Sequence, residues 1–267
     1  AVFTADTVVS ADTYVYPDTA DCYWVTFNTI GGSMVASCSI KMGDTLELST
    51  VTRPTRTGYN FKGWSTTEGG ALISSVTPTA DTTLYAVWEG DDVKYMVVYW
   101  GENADDTNYS ALATATLTGK VGSTVTLNAT TGALPNSVSD RQHFKFSSSD
   151  SATIRADGSS VLNVYFSRNS YTLTFRKYTW ELFGGNYETV ATITAKYNAS
   201  IFAEFGKPPF NTTYKGRAWD CTDGSKYGYP LQTLDRMPGF NATFDLYDKS
   251  SNKLKTIYYL CRMLERL

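Results

Sequence analysis

One stretch of the chain reads Arg53-Pro-Thr-Arg-Thr-Gly-Tyr-Asn-Phe-Lys-Gly-Trp64 and alternates turn-forming residues with large aromatic ones. Pro54 and Gly58 favour bends of the backbone, and the rings that follow can fill a small core. It is preceded by a strand and a glycine turn in Val25-Thr-Phe-Asn-Thr-Ile-Gly-Gly32, and followed by a second strand in Asp81-Thr-Thr-Leu-Tyr-Ala-Val-Trp88. The pattern predicts one small β-rich module over residues 22–90.

These motifs, with Gly43-Asp-Thr45 between them, closely resemble the Listeria–Bacteroides repeat, which is also called the internalin B-repeat. The departures are Ile30, where a polar turn residue is more usual, and the two cysteines Cys22 and Cys38. The resemblance implies a β-grasp-like fold. It also implies a place on cell-wall-attached bacterial surface proteins, where such repeats act as spacers or as ligand-binding modules.

The first module has counterparts further along the chain. Strands with period-2 alternation open each module at Tyr23–Phe27, Val93–Tyr99 and Tyr171–Phe175. Further strands close each module at Leu84–Trp88, Val161–Phe166 and Lys255–Leu260. The repetition predicts modules at 22–90, 91–169 and 170–260, with 1–21 as a linker or the end of a preceding module and 261–267 as a tail.

The fold class expected from these patterns is mainly β with minor α (α+β), as tandem small β-grasp-like modules in an extended array. The best short helix is predicted at Ala199–Phe205, before Gly206-Lys-Pro-Pro209. The second module carries Tyr99-Trp-Gly-Glu-Asn-Ala-Asp-Asp106 and Gly119-Lys-Val-Gly-Ser-Thr124, and it resembles mucin-binding-type (MucBP-like) repeats of Gram-positive surface proteins. The third module resembles the same class more weakly, through its position and its closing strand.

Composition removes several classes of function. The net charge is −3 and the basic residues are scattered, so no basic stripe suits a nucleic-acid backbone. No apolar run is long enough to cross a bilayer, so we expect no membrane insertion of this fragment. In a hairpin Cys22 and Cys38 could face each other, either as a disulfide or as two small buried residues.

Catalytic motifs are missing from the sequence. The chain has one histidine, His143, with no nucleophile elbow around any serine and no glycine-rich phosphate loop. Carboxylates concentrate in turns, such as Asp105-Asp106 and Asp220 with Asp223, where calcium binding is an alternative although the spacing matches no EF-hand loop. We therefore expect no enzyme activity, no cofactor and no metal.

The third module contains a long irregular segment, Phe210–Pro230, in which aromatic residues are interleaved with Gly, Asn, Asp and Lys. Long irregular segments in compact modules are often functional, and Trp, Tyr and Arg dominate interface energetics. The alternative is that Trp219 and Phe210 fill a small core beneath a loop. The predicted binding surface consists of the anchors Tyr214, Trp219, Tyr227 and Tyr229, with Arg217 and Lys226 at the rim.

The function expected from the sequence is that of an adhesin or host-protein-binding module on an extracellular, cell-wall-attached bacterial surface protein. The expected partner is a host extracellular glycoprotein or immunoglobulin, with mucin and immunoglobulin as first candidates, and the expected state is a monomer. An alternative is a structural stalk that presents a binding head located elsewhere. A less favoured alternative is a glycosidase accessory region, since counting carboxylates does not exclude a catalytic pair.

Overall fold

The structure is a computed structural model that describes residues 21–182, 184–222, 228–229 and 234–246. Its regular structure consists of β-strands and three short 3₁₀ helices in these residues. The prediction of a mainly β protein is confirmed. The minor α component is wrong for the described part of the chain, because the helix predicted at Ala199–Phe205 is a 3₁₀ helix, Phe202–Gly206.

The first sheet has four strands in the order β2-β1-β6-β4. They are β1 Cys22–Asn28, β2 Cys38–Lys41, β4 Tyr59–Ser65 and β6 Thr82–Gly90. Strand β1 is antiparallel to β2 and parallel to β6, and β4 is antiparallel to β6. Two short strands, β3 Leu46–Glu47 and β5 Ser75–Val76, pair with each other, and a 3₁₀ helix spans Leu48–Thr50. The buried core of this sheet comprises Val25, Leu48, Trp64, Leu84 and Ala86.

The second sheet repeats this arrangement in the order β10-β12-β7-β8. Its strands are β7 Asp92–Glu102, β8 Tyr109–Lys120, β10 Phe144–Ser149 and β12 Val161–Arg168. Strand β12 is parallel to β7 and antiparallel to β10. Strands β9 Thr124–Thr126 and β11 Ser151–Thr153 form a separate pair, and a 3₁₀ helix spans Arg141–His143.

The third sheet has the order β14-β13-β17-β15-β16. Its strands are β13 Ser170–Glu181, β14 Gly184–Lys196, β15 Trp219–Cys221, β16 Gly228–Tyr229 and β17 Ala242–Leu246. Strand β13 is antiparallel to β14 and parallel to β17, which is antiparallel to β15. The core contains Leu173, Phe175, Ile193, Phe210, Trp219 and Phe244.

All three sheets therefore share one strand order, in which the first and last described strands form a parallel pair and the second strand lies beside the first. The predicted opening strands are confirmed as β1, β7 and β13, and two of the predicted closing strands as β6 and β12. In the third sheet β17 occupies the closing position, while the predicted closing strand at 255–260 lies outside the described residues. The segments 1–20 and 261–267 also lie outside them, and the module boundaries and extended array stay predictions.

The register of the first hairpin corrects the prediction for the cysteines. Cys22 lies opposite Lys41, and Cys38 lies opposite Val25. Because side chains alternate between the faces of a sheet, Cys38 shares the core face with Val25 whereas Cys22 lies on the other face. No disulfide joins Cys22 to Cys38. The physical reason is the register, because the paired positions are centred between Gly31 and Gly32, whereas the two cysteines are centred on Ile30.

The chain divides into two compact units. The first contains the described residues up to Val93 together with 119–123 and 154–158. Within it, Val121 N donates to Asp91 O (2.9 Å) and Gly122 N donates to Ile154 O (2.8 Å). The second unit contains the rest of the second sheet and the whole described part of the third.

Candidate binding surface on the third sheet

The predicted anchor Trp219 is a core residue. Its side chain is 0% exposed, and its ring makes edge contacts with Phe175 (5.2 Å), Phe210 (6.1 Å) and Tyr214 (5.4 Å) between centroids. Strand β15 places this ring on the inner face of the sheet, where it removes a large apolar area from water. The prediction of Trp219 as a surface anchor is therefore wrong, and the alternative of a core beneath a loop is confirmed.

The other predicted binding residues are not gathered into one surface. Tyr214 is half-buried against the same core, and Arg217 is exposed. Tyr229 belongs to β16, but only its backbone is described, and Lys226 and Tyr227 lie outside the described residues. The role of these residues in binding stays a prediction.

A different part of the third sheet presents aromatic rings to solvent. The pairing of β13 with β17 ends at Arg176 opposite Asp245, whereas the pairing of β13 with β14 continues to Glu181 opposite Gly184. Residues 177–182 and 184–187 therefore extend beyond the described part of β17. We call residues 176–182 and 184–189 the aromatic arm.

One face of the aromatic arm carries three rings. In the register of the hairpin Tyr178 lies opposite Tyr187, and Trp180 lies opposite Gly185, so all share one face. Tyr178 contacts Trp180 edge-on (5.1 Å, 85°) and Tyr187 at 5.0 Å (66°). Trp180 is nevertheless 79% exposed, and Leu182 at the end of β13 is 93% exposed. Tyr178, Trp180 and Leu182 together form an exposed apolar surface, which we call the knob.

Arg176 attaches the base of the arm to the rest of the sheet. Its guanidinium makes two hydrogen bonds to Asp245 of β17, from Nε to Oδ1 (2.9 Å) and from Nη2 to Oδ2 (3.2 Å). The same guanidinium lies 4.5 Å from the centre of the Tyr187 ring. A bidentate ion pair has fixed geometry, so Arg176 orients the arm as well as stabilising it.

The opposite face of the arm is polar. Lys177 Nζ lies 2.9 Å from Glu188 Oε2, and the hydrogen bond and charge of Glu188 raise the pKa of Lys177. Because isolated two-stranded ribbons are marginally stable, this pair and the ring cluster both support the hairpin. The ring contacts thus have a structural role, but that role does not require Trp180 to be so exposed.

Sequence patterns indicated this surface only in part. The prediction ended the opening strand at Phe175, although outward positions continue through Tyr178 and Trp180 to Gly184-Gly185. Alternation followed by a Gly-Gly turn is a hairpin signal, and it could have located the arm. The exposure of its rings could not be inferred, because alternation shows neither the pairing of strands nor their burial.

The turn carboxylates have partners within the protein. Asp105 Oδ1 accepts from Ser200 N (2.6 Å) and Asp105 Oδ2 accepts from Arg236 Nη1 (2.6 Å), and these two hydrogen bonds lower the pKa of Asp105. Asp106 Oδ1 accepts from Asn108 N (2.7 Å). Among the described residues, no group of three or more His, Cys, Asp or Glu side chains is placed to hold a metal ion.

Comparison with known families adds one match. Residues 23–87, which contain most of the first sheet, match the sequence model of the Listeria-Bacteroides repeat domain. This domain is a repeat found in surface proteins, and the repeated topology of the three sheets is consistent with an extracellular repeat module. A search of curated protein sequences finds no significant match. In the described part of the chain, no helix is long and apolar enough to cross a membrane.

Proposed function

We propose that this chain is an extracellular, cell-wall-attached segment of a bacterial surface protein that binds a host protein through the aromatic arm. The observation that carries the proposal is the exposure of Trp180 and Leu182 at the end of a ribbon whose base is held by Arg176. Large apolar side chains that remain in water on a well-held element are typical of interaction sites.

The shape of the knob favours a protein partner. The Tyr178 and Trp180 rings meet nearly at right angles, so they offer an edge rather than a flat platform for stacking. Leu182 is aliphatic and adds apolar area that a concave protein groove can bury. The charges at the base are paired within the protein, Arg176 with Asp245 and Lys177 with Glu188, so apolar contacts would supply most of the affinity. Immunoglobulin and the polypeptide of mucin are the first partners to test.

A second candidate is a structural stalk without a binding surface of its own. The shared topology of the three sheets supports it, because a repeated unit is suited to spacing a distant head from the cell wall. The central parallel pair in each sheet also supports the β-grasp-like assignment and the MucBP-like nature of the second and third modules. In both candidates the segment is not an enzyme and needs no cofactor.

Binding to immobilised immunoglobulin and mucin tests the proposal with three versions of the chain. Trp180→Ala should weaken binding by about 30-fold, which corresponds to about 2 kcal/mol, the loss typical of a central anchor. Trp24→Ala is the matched control, since Trp24 is an exposed tryptophan (54%) on the first sheet, and it should bind as the unchanged chain does.

The melting temperature separates loss of the contact from loss of the fold, and it should be the same for all three chains. Equal binding by the unchanged chain and both variants would show that the binding site lies outside the aromatic arm. Absence of binding to both ligands, and to every protein in intestinal secretions, would favour the stalk.

A further inference from the structure

The edges of the three sheets differ in how well they are protected against pairing with another strand. An edge strand presents unpaired backbone N–H and C=O groups, and proteins commonly blunt such edges by short length, charge or bulges. The edge strands described here are β2, β4, β8, β10, β14 and β16.

Strands β2, β4, β10, β14 and β16 each carry at least one such protection. Strand β2 has four residues and β16 has two. Strands β4, β10 and β14 each have a register shift in their ladder, and each has a charged side chain beside it. The charged residues are Lys62, Lys145 and Glu188.

Strand β8 is long and uncharged over most of its length. It has twelve residues, Tyr109–Lys120, and the part between the ends reads Ser110-Ala-Leu-Ala-Thr-Ala-Thr-Leu-Thr-Gly119 without a charge or a proline. The side chains of Ala111, Thr114, Thr116 and Thr118 are exposed. Within the described residues β8 has β7 on one side and no strand on the other. In the described part of the chain, this edge is therefore open to a further strand.

We propose that β8 pairs antiparallel with β8 of a second copy of this chain, so that the two second sheets join into one. The sequence of β8 is complementary to itself about Ala115. With Ala115 opposite its own copy, Thr114 lies opposite Thr116, and Ala113 lies opposite Leu117. Only uncharged residues meet between Ala111 and Gly119, and no like charges face each other across the pair.

A two-fold axis through this pair makes the contact isologous, so it closes as a dimer and does not propagate as a filament. Backbone hydrogen bonds supply the attraction, as in other cases of strand addition at a sheet edge. The surface is separate from the aromatic arm, and the resulting dimer differs from the monomer expected from the sequence. Each dimer would carry two aromatic arms.

Sedimentation velocity at increasing concentration of the whole chain tests the proposal. The unchanged chain should form a dimer, and the double variant Thr114→Lys with Thr116→Lys should raise its dissociation constant at least tenfold. These two lysines place like charges opposite each other across the proposed pair. Both replace exposed side chains, so the core of the sheet keeps its residues. Thr192→Lys on β14 is the matched control, because it adds a lysine at an exposed threonine of another edge strand, and it should not change the dimer.

Hydrogen exchange on the unchanged chain gives a second measurement that does not depend on a variant. Amides of residues 110–118 should exchange more slowly as the protein concentration rises, while those of β14 should not change. A chain that stays monomeric at every concentration would overturn the proposal. A strand of another protein would then be the candidate to pair with β8. A dimer that the double lysine variant does not weaken, or exchange in β8 that is independent of concentration, would overturn it as well.

Discussion

At the scale of single residues, the third sheet places two tryptophans in opposite environments. Trp219 is buried against Phe175, Phe210 and Tyr214, whereas Trp180 contacts Tyr178 edge-on and is 79% exposed. The same side chain therefore stabilises the fold at one position and is available to a partner at the other. Burial, and not residue type, decides between these roles.

This difference predicts the stability of two alanine variants. Trp219→Ala should lower the free energy of unfolding by about 3 to 5 kcal/mol, because it removes buried area and leaves a cavity. Trp180→Ala should change it by less than about 1 kcal/mol, as is usual for exposed positions. Chemical denaturation followed by circular dichroism measures both. Equal losses in the two variants would mean that the arm belongs to the folded core.

At the scale of elements, the sequence predicts strands better than their pairing. Alternation located β1, β6, β7, β12 and β13 because buried apolar residues recur at every second position, as with Leu84 and Ala86 in β6 or Val164 and Phe166 in β12. Alternation does not determine the register between two strands, so it could not show that Cys22 and Cys38 lie on opposite faces of the sheet. The aromatic segment near Trp219 was misleading for a related reason, since composition suits an interface and a core equally well until burial is known.

The aromatic arm depends on a glycine at one position of β14. An added Cβ at Gly185 would overlap the ring of Tyr178, so this ring can lie across the strand only where there is no side chain. We expect Gly185→Ala to displace Tyr178 from Trp180 and Tyr187, and to weaken partner binding while the core of the sheet stays folded. Near-ultraviolet circular dichroism reports the ring cluster, and far-ultraviolet circular dichroism reports the sheet.

Gly206→Ala is a suitable control for that variant, because an added Cβ at Gly206 has open space around it. Its near-ultraviolet spectrum should match that of the unchanged chain. An unaltered spectrum in Gly185→Ala would show instead that the three rings pack without help from the glycine.

At the scale of the whole molecule, the second and third sheets are linked within one unit by polar and aromatic contacts. His143 stacks on Tyr197 (3.9 Å between ring centres), and its Nδ1 lies 2.9 Å from the Tyr171 hydroxyl. Glu102 accepts from Arg168 N (3.0 Å), and its carboxylate lies 2.7 Å from Lys196 Nζ. A stalk and a binding segment both gain from this linkage, because it restricts how the third sheet can move relative to the second.

The carboxylates of this linkage make it sensitive to acid. Partial burial raises the pKa of Glu102, but hydrogen bonds from Lys196 and Arg168 and their charges outweigh it, so the pKa lies below its usual value. The pKa of Asp105 is lowered by Ser200 and Arg236. A carboxylate with a lowered pKa adds stability above its unfolded-state pKa, and that stability is lost as the pH falls through the folded-state value. The linkage should therefore weaken below about pH 4.

The double variant Glu102→Gln with Asp105→Asn isolates this contribution. At pH 6 it should melt about 4 to 8 °C below the unchanged chain, which corresponds to roughly 2 kcal/mol, mostly from the less exposed Glu102. The gap should narrow as the pH falls through the folded-state pKa values, because the carboxyls of the unchanged chain then become protonated and uncharged like the amides. Glu89→Gln changes an exposed pair with Lys62 on the first sheet, and it should shift the melting temperature by much less at every pH. A gap between the double variant and the unchanged chain that stays constant from pH 6 to pH 2.5 would show that shape, and not charge, holds the two sheets together.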